Sequence, residues 1–515
     1  LADVTDLLQS PDTHMEAILR DFGNRTQRED PVIHFYELFL TAYDKAKKVQ
    51  RGVFYTPQPV VSYIVRSVHE LLQTEFGLAD GLADTATWGE MLKKNPKLKL
   101  PPLTDEPGEK RTIDPKEPFV QILDPATGTG TFLVETIDVI HKTLTAKWEK
   151  QGKSKAEILK LWNEYVPKDL LPRLYGYELM MAPYAIAHMK IGLKLSETGY
   201  RFVTEERARI YLTNSLEPKV RQLPHIAVEA LAHEAAAVNE VKWYKRFTVV
   251  IGNPPYAGHS FNTGEWITGL VNDYYIVDGK PLGERNPKWL QDDYVKFIRL
   301  GQYLIEKTGC GIHSYITNHG YIDNPTFRGM RQQWVNKFSS LDVLDLHGST
   351  IKNERGPDGS DDVNVFDIKQ GVAIFVSRRK PITKSATCVV RHAHLYGARA
   401  SKYAQMSGGT SSSYELINVQ PIAPFYLFVP QDSDLREEYA CFIKMADIMP
   451  INVLGFQSHR DHFAVDLDEK ELFRRISAFR DSDLSDAQAQ KAYDIPDNRD
   501  WHIKDARRQL RADRD

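Results

Sequence analysis

Phe119-Val120-Gln121-Ile122-Leu123-Asp124-Pro125-Ala126-Thr127-Gly128-Thr129-Gly130-Thr131-Phe132-Leu133 passes from an apolar run through a glycine-rich turn into a segment whose apolar residues keep helical spacing to Ile140. The pattern predicts a strand, a loop and a helix. Glycines let a ligand approach the backbone, and a helix amino terminus favours anionic or polar groups. Leu133 stands where the nicotinamide dinucleotide fingerprint needs its third glycine, and Asp124-Pro125 takes the place of its first glycine turn. A dinucleotide is therefore disfavoured. Further on, Arg173-Leu174-Tyr175-Gly176-Tyr177-Glu178-Leu179 reads as a second strand. Its carboxyl end carries Glu178, and a carboxylate there can grip two ribose hydroxyls. The polar helical segment from Trp148 to Pro167 accounts for the long separation between the two strands.

Working outward, strands are expected at 119–124, 173–178, 208–212, 247–251, 310–317, 341–346 and 371–377, alternating with helical segments. Such alternation predicts an α/β fold with a mainly parallel sheet covered on both faces and a site at the strands' carboxyl ends. Residues 1–50 read as helices, and Val60, Val61, Ile64, Val65, Val68, Leu71 and Leu72 form one apolar helix face. Residues 80–118, rich in prolines, lysines and acids, predict a surface insertion. Beyond 380 the pattern is less regular, with Ser407 to Ser413 as a flexible link and Pro424-Phe425-Tyr426-Leu427-Phe428-Val429 strand-like.

Length and composition, 515 residues with 42% hydrophobic content, allow two or three domains. Cys310, Cys388 and Cys441 form no Cys-x-x-Cys pair, which argues for a reducing cytoplasm and against structural zinc. There is no secretory signal and no long apolar span. A net charge of -3 does not advertise a nucleic-acid partner. Attraction to phosphate would fall to local patches, Arg328, Arg331 and Lys337 or Arg378-Arg379-Lys380, each of which also reads as a solvated face.

Asn253-Pro254-Pro255-Tyr256 follows the apolar run Phe247-Thr248-Val249-Val250-Ile251-Gly252. The prolines stiffen the turn and offer carbonyls without competing N–H donors. Asn253 adds a side-chain acceptor, and Tyr256 a stacking face. Two acceptors on the N–H groups of a nucleobase amine favour a more tetrahedral nitrogen and offset the charge that grows as it is alkylated. A strand ending in a plain proline turn is the alternative, which context must decide. Two other patterns carry less. Pro357-Asp358 with Asp367-Ile368-Lys369 imitates a metal-dependent nuclease, with Asp358, Asp361 and Asp362 as magnesium ligands, but the same residues already read as a polar loop and the strand carrying Phe366, and such short patterns are common by chance. His392 and His394 share a face if 388–396 form a strand, yet no third metal ligand is near in sequence.

Taken in order, these residues resemble the amino-methylating DNA methyltransferases that use S-adenosyl-L-methionine. The resemblance implies that the glycine loop binds the methionine part of that cofactor, through Asp124, Ala126, Thr127, Gly128, Gly130, Thr131 and Phe132. It implies that Glu178 binds the ribose, with Leu179 beside it also at the cofactor, and that Asn253, Pro254, Pro255 and Tyr256 hold the target adenine. Phe54-Tyr55-Thr56-Pro57 resembles the family's amino-terminal cofactor motif, with Tyr55 and Thr56 at the cofactor. Thr56 also reads as a helix cap ahead of Pro57. This motif order resembles the gamma, N6-adenine class. Asp292 to Ile298 resembles the helix after the catalytic motif, and Val363-Asn364-Val365-Phe366 the motif whose aromatic residue sandwiches the flipped base with Tyr256. Ordinary core is the other reading of Phe366. Asn214, a further cofactor-binding candidate, lies where relatives commonly carry an aspartate near the adenine.

The stretch from Pro31-Val32-Ile33-His34-Phe35-Tyr36 to Thr56-Pro57 is more specific still and resembles the Type ISP single-polypeptide restriction-modification enzymes. That implies a helical coupler segment at 1–50, a methyltransferase domain at 51–380 and a mixed α+β target-recognition region at 381–515. The partner implied is double-stranded DNA with a specific target sequence. No Gly-x-x-x-x-Gly-Lys-Ser/Thr phosphate loop is present, so nuclease and motor are expected elsewhere on a parent polypeptide, and the chain reads as a fragment. A monomer in a bacterial cytoplasm is expected, with no membrane and no metal. Rival readings are cytosine-N4, protein-glutamine or RNA methylation, and a non-enzymatic DNA specificity module.

Overall fold

Strand β1, Ile122–Asp124, is buried along its length and lies between two parallel neighbours, β2 (Leu174–Glu178) and β4 (Val249–Gly252). A strand so enclosed must be apolar on both faces, which is why it shows as a continuous run in sequence. The computed structural model describes residues 56–202, 207–218, 229–256, 260–284, 287–381, 388–432, 434–451, 458–481, 483–498 and 501–513. They fall into two compact units, one up to Gln431 and one from Asp432. The helices expected over 1–50, and Tyr55, lie outside the described residues.

In the first unit the described strands form one nine-stranded sheet in the order β11-β10-β8-β9-β7-β4-β1-β2-β3. Its further members are β3 (Arg209–Leu212), β7 (Gly311–Asn318), β8 (Ser340–Asp345), β9 (Val372–Arg379), β10 (Val389–His394) and β11 (Ile417–Val419), while β5 (Ile276–Val277) and β6 (Lys280–Pro281) pair separately. All seven strands expected from the sequence are present. Pairing is parallel from β3 through β2, β1 and β4 to β7. The strand β9 runs antiparallel between β7 and β8. The chain moves outward from β1 to β3, then returns to β4 on the other side of β1. The carboxyl ends of β1 and β4 therefore flank the switch point where open α/β sheets bind ligands.

Helices cover both faces. On one, α1 (Gln58–Phe76) buries the predicted face, Val60 to Leu72, in an apolar cluster with Phe132, Leu133 and Ile137 of a helix spanning Thr131–Lys150. On the other, the helix Asp293–Thr308, expected from Asp292 to Ile298, packs Tyr294, Val295 and Ile298 with Leu123 and Val250. Among the described residues, no helix is long and apolar enough to cross a membrane.

Four expectations change. The segment 80–118 is not a mere surface insertion: Leu82, Trp88, Leu98 and Ile113 are buried in the same cluster as α1. Residues 407–413 are not a flexible link: they end the helix Arg399–Gly408 and form a 3-10 turn at Ser411–Ser413, held on α1, where Arg66 donates to the Met406 and Gly409 carbonyls and Ser411 N–H to Ser67. Residues 424–429 are not a strand, although Phe428 is fully buried and its N–H reaches the Ile322 carbonyl. The sheet does not end at 380, because β10 pairs in parallel with β8 and carries β11. The α+β mixture expected beyond 380 is thus divided. Its strands join the first unit, and the described part of the second is helical around Phe463, Phe479, Ala489, Ile495 and Ile503.

Candidate active site

At the carboxyl end of β1 the chain turns sharply. Asp124 accepts the Ala126 N–H at 3.0 Å through Oδ1, Thr127 donates its hydroxyl to the Asp124 carbonyl at 2.9 Å, and the Thr127 N–H reaches the Tyr177 carbonyl. Gly128 and Gly130 take φ of 56° and 83°, a region that disfavours side chains. A Cβ on Gly128 would meet only open space, whereas one on Gly130 would press on Ala187 at 3.2 Å. Gly128 thus borders the open side of the loop, and Gly130 packs it. Thr131 begins the following helix, and Phe132 is buried in the core, so Phe132 supports the loop from below.

Glu178 ends β2 and holds the loop directly. Its two oxygens accept the Gly128 N–H at 2.9 Å and the Met180 N–H at 2.8 Å. Burial outweighs these donors and raises its carboxyl to about 6. Leu179 beside it is 57% exposed and Met181 56%, a bare apolar ledge next to an acidic group. Asp124 is wholly buried, which raises its carboxyl to about 8, and its Oδ2 has no hydrogen-bond partner among the described residues. An orphaned buried carboxyl of this kind suits an incoming cationic amine, which it can accept by giving up its proton.

The tetrapeptide leaves β4 beside this loop. Gly252 passes so close to Asp124 that a Cβ would stand 2.8 Å from Oδ1. Asn253 is half-buried, and its Nδ2 donates to the Thr56 hydroxyl at 2.9 Å across 197 positions of sequence. Asn253 Oδ1 accepts the Tyr256 hydroxyl, which also approaches the Ile316 carbonyl of β7 at 3.3 Å. Pro254 is buried and Pro255 half-buried. Burial holds the Tyr256 phenol well above its usual range, so it stays a neutral donor. The Tyr294 ring meets Tyr256 edge-on, with centroids 6.4 Å apart.

Three expected site residues behave differently. Thr56 is not the cap of α1: Pro57 holds the N-cap position without a side-chain bond, leaving the Thr56 hydroxyl to meet Asn253. Phe366 offers no open face, being 5% exposed within the apolar cluster against which Tyr256 packs, as its core reading had it. Asn214 is engaged structurally. It donates to Asn262 Oδ1 at 2.9 Å and to Glu217, and accepts the Leu216 N–H. Asn262 in turn bonds Asp293, so the network links the β3 loop to the helix Asp293–Thr308. Sequence spacing carries no sign of this link, nor of the Thr56 contact.

The other motifs are absorbed by the fold. Asp362 and Lys402 pair at 2.8 Å with both side chains fully buried, and Asp358 caps Ser360. Arg331 is fully buried, donating to the Tyr321, Asn324 and Phe425 carbonyls, and Arg378 pairs with Asp342 at 2.9 Å. Neither is a surface group for phosphate, because each satisfies carbonyls or carboxylates inside the fold.

Residues 173–351 match the family model described as the Eco57I restriction-modification methylase, and residues 447–515 that of the Type ISP C-terminal specificity domain. Two of the three elements that the resemblance to Type ISP enzymes implies, the methyltransferase and the target-recognition region, thus have a matching family model. Among solved structures it is similar to the ATP-dependent Type ISP restriction-modification enzyme LlaBIII bound to DNA, with TM-score 0.63 and 20% identity over 94% of this chain and 29% of that one. It is also similar to a nuclease-deletion mutant of the Type ISP enzyme LlaGI in complex with a DNA substrate mimic, with TM-score 0.59 and 18% identity over 100% and 41%. A DrdV–DNA complex gives TM-score 0.59 and 21% identity over 93% and 42%. At such identities the likeness is one of fold, and the chain spans 29–42% of these proteins' length. No curated protein matches the sequence.

Proposed function

We propose that this chain is the methyltransferase portion, with part of the target-recognition region, of a Type ISP-like restriction-modification enzyme, and that it methylates N6 of an adenine in double-stranded DNA carrying a specific target sequence. One observation carries the reading. The Asn253–Thr56 hydrogen bond sets the base-holding tetrapeptide against the amino-terminal cofactor motif, beside the loop of Asp124 and Gly128. Nuclease and motor would belong to the same parent polypeptide, working as a monomer in a bacterial cytoplasm. The C-terminal specificity match supports a DNA partner.

The residues present fit S-adenosyl-L-methionine. Asp124 Oδ2 would take its ammonium group, Glu178 its ribose hydroxyls, and Leu179 with Met181 the face of its base. When bound, that cofactor supplies an electrophilic methyl group. The protein's work is to present the amine. Flipping the base costs about a few kcal/mol, which stacking on Tyr256 offsets. Asn253 Oδ1 can accept the amine beside or in place of the Tyr256 hydroxyl, since an amide oxygen has two acceptor positions. Together with the Pro254 carbonyl it would stabilise the charge developing on nitrogen. Cytosine-N4 methylation is the nearest alternative, although such enzymes more often begin the tetrapeptide with Ser or Thr than with Asn253.

Labelled cofactor offered to mixed-sequence DNA, RNA and protein, followed by identification of the modified group, tests the assignment: N6-methyladenine is expected, and a modified cytosine, RNA base or glutamine refutes it. Asn253→Ala should keep cofactor affinity while methyl transfer falls about 10²–10³-fold, as for loss of one preorganised group at a developing charge. Transfer near the unmutated rate would remove Asn253 from the mechanism.

A further inference from the structure

His392 and His394 have no metal-ligand partner near them in sequence, but the sheet supplies one. Parallel pairing of β10 with β8 sets His394 directly beside Asp345, the last residue of each strand, and His347 follows two positions later. We propose that Asp345, His347 and His394 form a binding site for a zinc-class divalent transition-metal ion.

Each of the three offers a ligand atom, and these atoms lie within 4.8 Å of one another. His347 Nε2 and His394 Nδ1 face each other at 2.9 Å, a spacing at which two imidazole nitrogens share either one proton or one cation. Two nitrogens on a tetrahedral zinc ion stand about 3.3 Å apart, so exchanging the proton for the ion opens the pair by only a few tenths of an ångström. The surroundings already hold the ligands as metal sites require. His319 Nδ1 meets Asp345 Oδ1 at 3.0 Å, and the same oxygen accepts the His347 N–H at 3.0 Å. The His347 ring stacks on Tyr396 with centroids 3.9 Å apart, and its backbone adopts a left-handed φ of 52°, an uncommon conformation for a non-glycine residue. Glu354 Oε1 lies 3.6 Å from His347 Nδ1, and His319, His347 and Glu354 form a second compact trio.

Two imidazoles and one carboxylate suit zinc, cobalt or nickel rather than the oxygen-seeking magnesium and calcium. His394 is exposed while Asp345 and His347 are buried, so the site is reached from solvent through His394 and a water can complete the coordination. The ion would tie β10 to the loop that leaves β8 and leads to Phe366.

The test uses the whole chain, stripped with a chelator and titrated with zinc alone and with cobalt(II) alone. One equivalent should bind, cobalt should develop the visible absorption of a low-coordinate nitrogen and oxygen site, and zinc should raise the melting temperature. His347→Ala and His394→Gln should each abolish the equivalent and the absorption, while Cys441→Ser, which removes the exposed thiol, should leave both intact. His394→Gln alters an exposed ring, so it decides the matter should His347→Ala fail to fold: metal-free melting like the parent's with no zinc response supports the site. Absence of stoichiometric binding, or binding unchanged in His394→Gln, overturns it and leaves an imidazole network sharing protons.

Discussion

At the residue scale, two buried carboxyls set the behaviour of the cofactor side. The carboxyls of Asp124 and Glu178 are raised by burial to about 8 and about 6. Each binds its proton more tightly folded than unfolded, so the stability this contributes is full below the unfolded values and lost as pH rises through about 6 and then about 8. The melting temperature of the ligand-free chain should fall across that window, and Asp124→Asn should flatten its upper part. At pH 7 Asp124 is mostly protonated, so capture of an ammonium group there should release up to one proton. Calorimetry in buffers of different ionisation enthalpy reads that release, and no difference between buffers would dissociate Asp124 from the amine. Thr56 can be separated from the cofactor in the same way. If it serves to hold Asn253, Thr56→Val should slow methyl transfer about tenfold, the effect of roughly one hydrogen bond, with cofactor affinity unchanged. A loss confined to cofactor affinity would place Thr56 at the ligand instead.

At the element scale, the glycine loop keeps its shape because β2 passes beneath it. A Cβ on Gly176 would lie 2.5 Å from Thr127 Oγ1 and 3.1 Å from Leu133 Cδ1. Gly176→Ala should therefore cost about 1–3 kcal/mol by overpacking and displace the loop, lowering both the denaturant midpoint and cofactor affinity. A midpoint equal to the parent's would show that Thr127 yields freely. Helix α1 is joined to the loop's own helix through Ser62, whose hydroxyl donates to Glu135 at 2.7 Å. The Thr56 end of one element and the Gly128 end of another are thereby held together across the switch point. The strands were legible in sequence because burial on both faces leaves continuous apolar runs. The order at 407–413 was not, because Ser411 is buried by α1, more than 300 residues earlier, and nothing in its own composition signals that.

At the scale of the whole molecule, the division falls after Gln431. With residues 447–515 matching a specificity domain, we expect a chain ending at Gln431 to retain cofactor binding and lose discrimination for its DNA target. That discrimination is at least about 10³-fold in sequence-specific proteins, and competition binding against random DNA at fixed salt measures it. Undiminished discrimination would move target reading into the first unit. The expected boundary at 380 missed this division because β10 reaches its partner β8 over more than 40 residues, and non-local pairing leaves no mark in the local pattern.

The amino-acid sequence by itself determined the strand, loop and helix at 119–133, the seven core strands, the face of α1 and the order in which a glycine loop, an acidic strand end and Asn253-Pro254-Pro255-Tyr256 follow one another. These are local properties: periodicity, turn chemistry and residue type within a few positions. Tertiary structure alone decided that Asn253 meets Thr56, that Phe366 is buried, that Arg331 and Arg378 serve the interior and that Asp345, His347 and His394 converge. Each of those depends on which strands become neighbours, and strand order follows from the packing of the whole sheet.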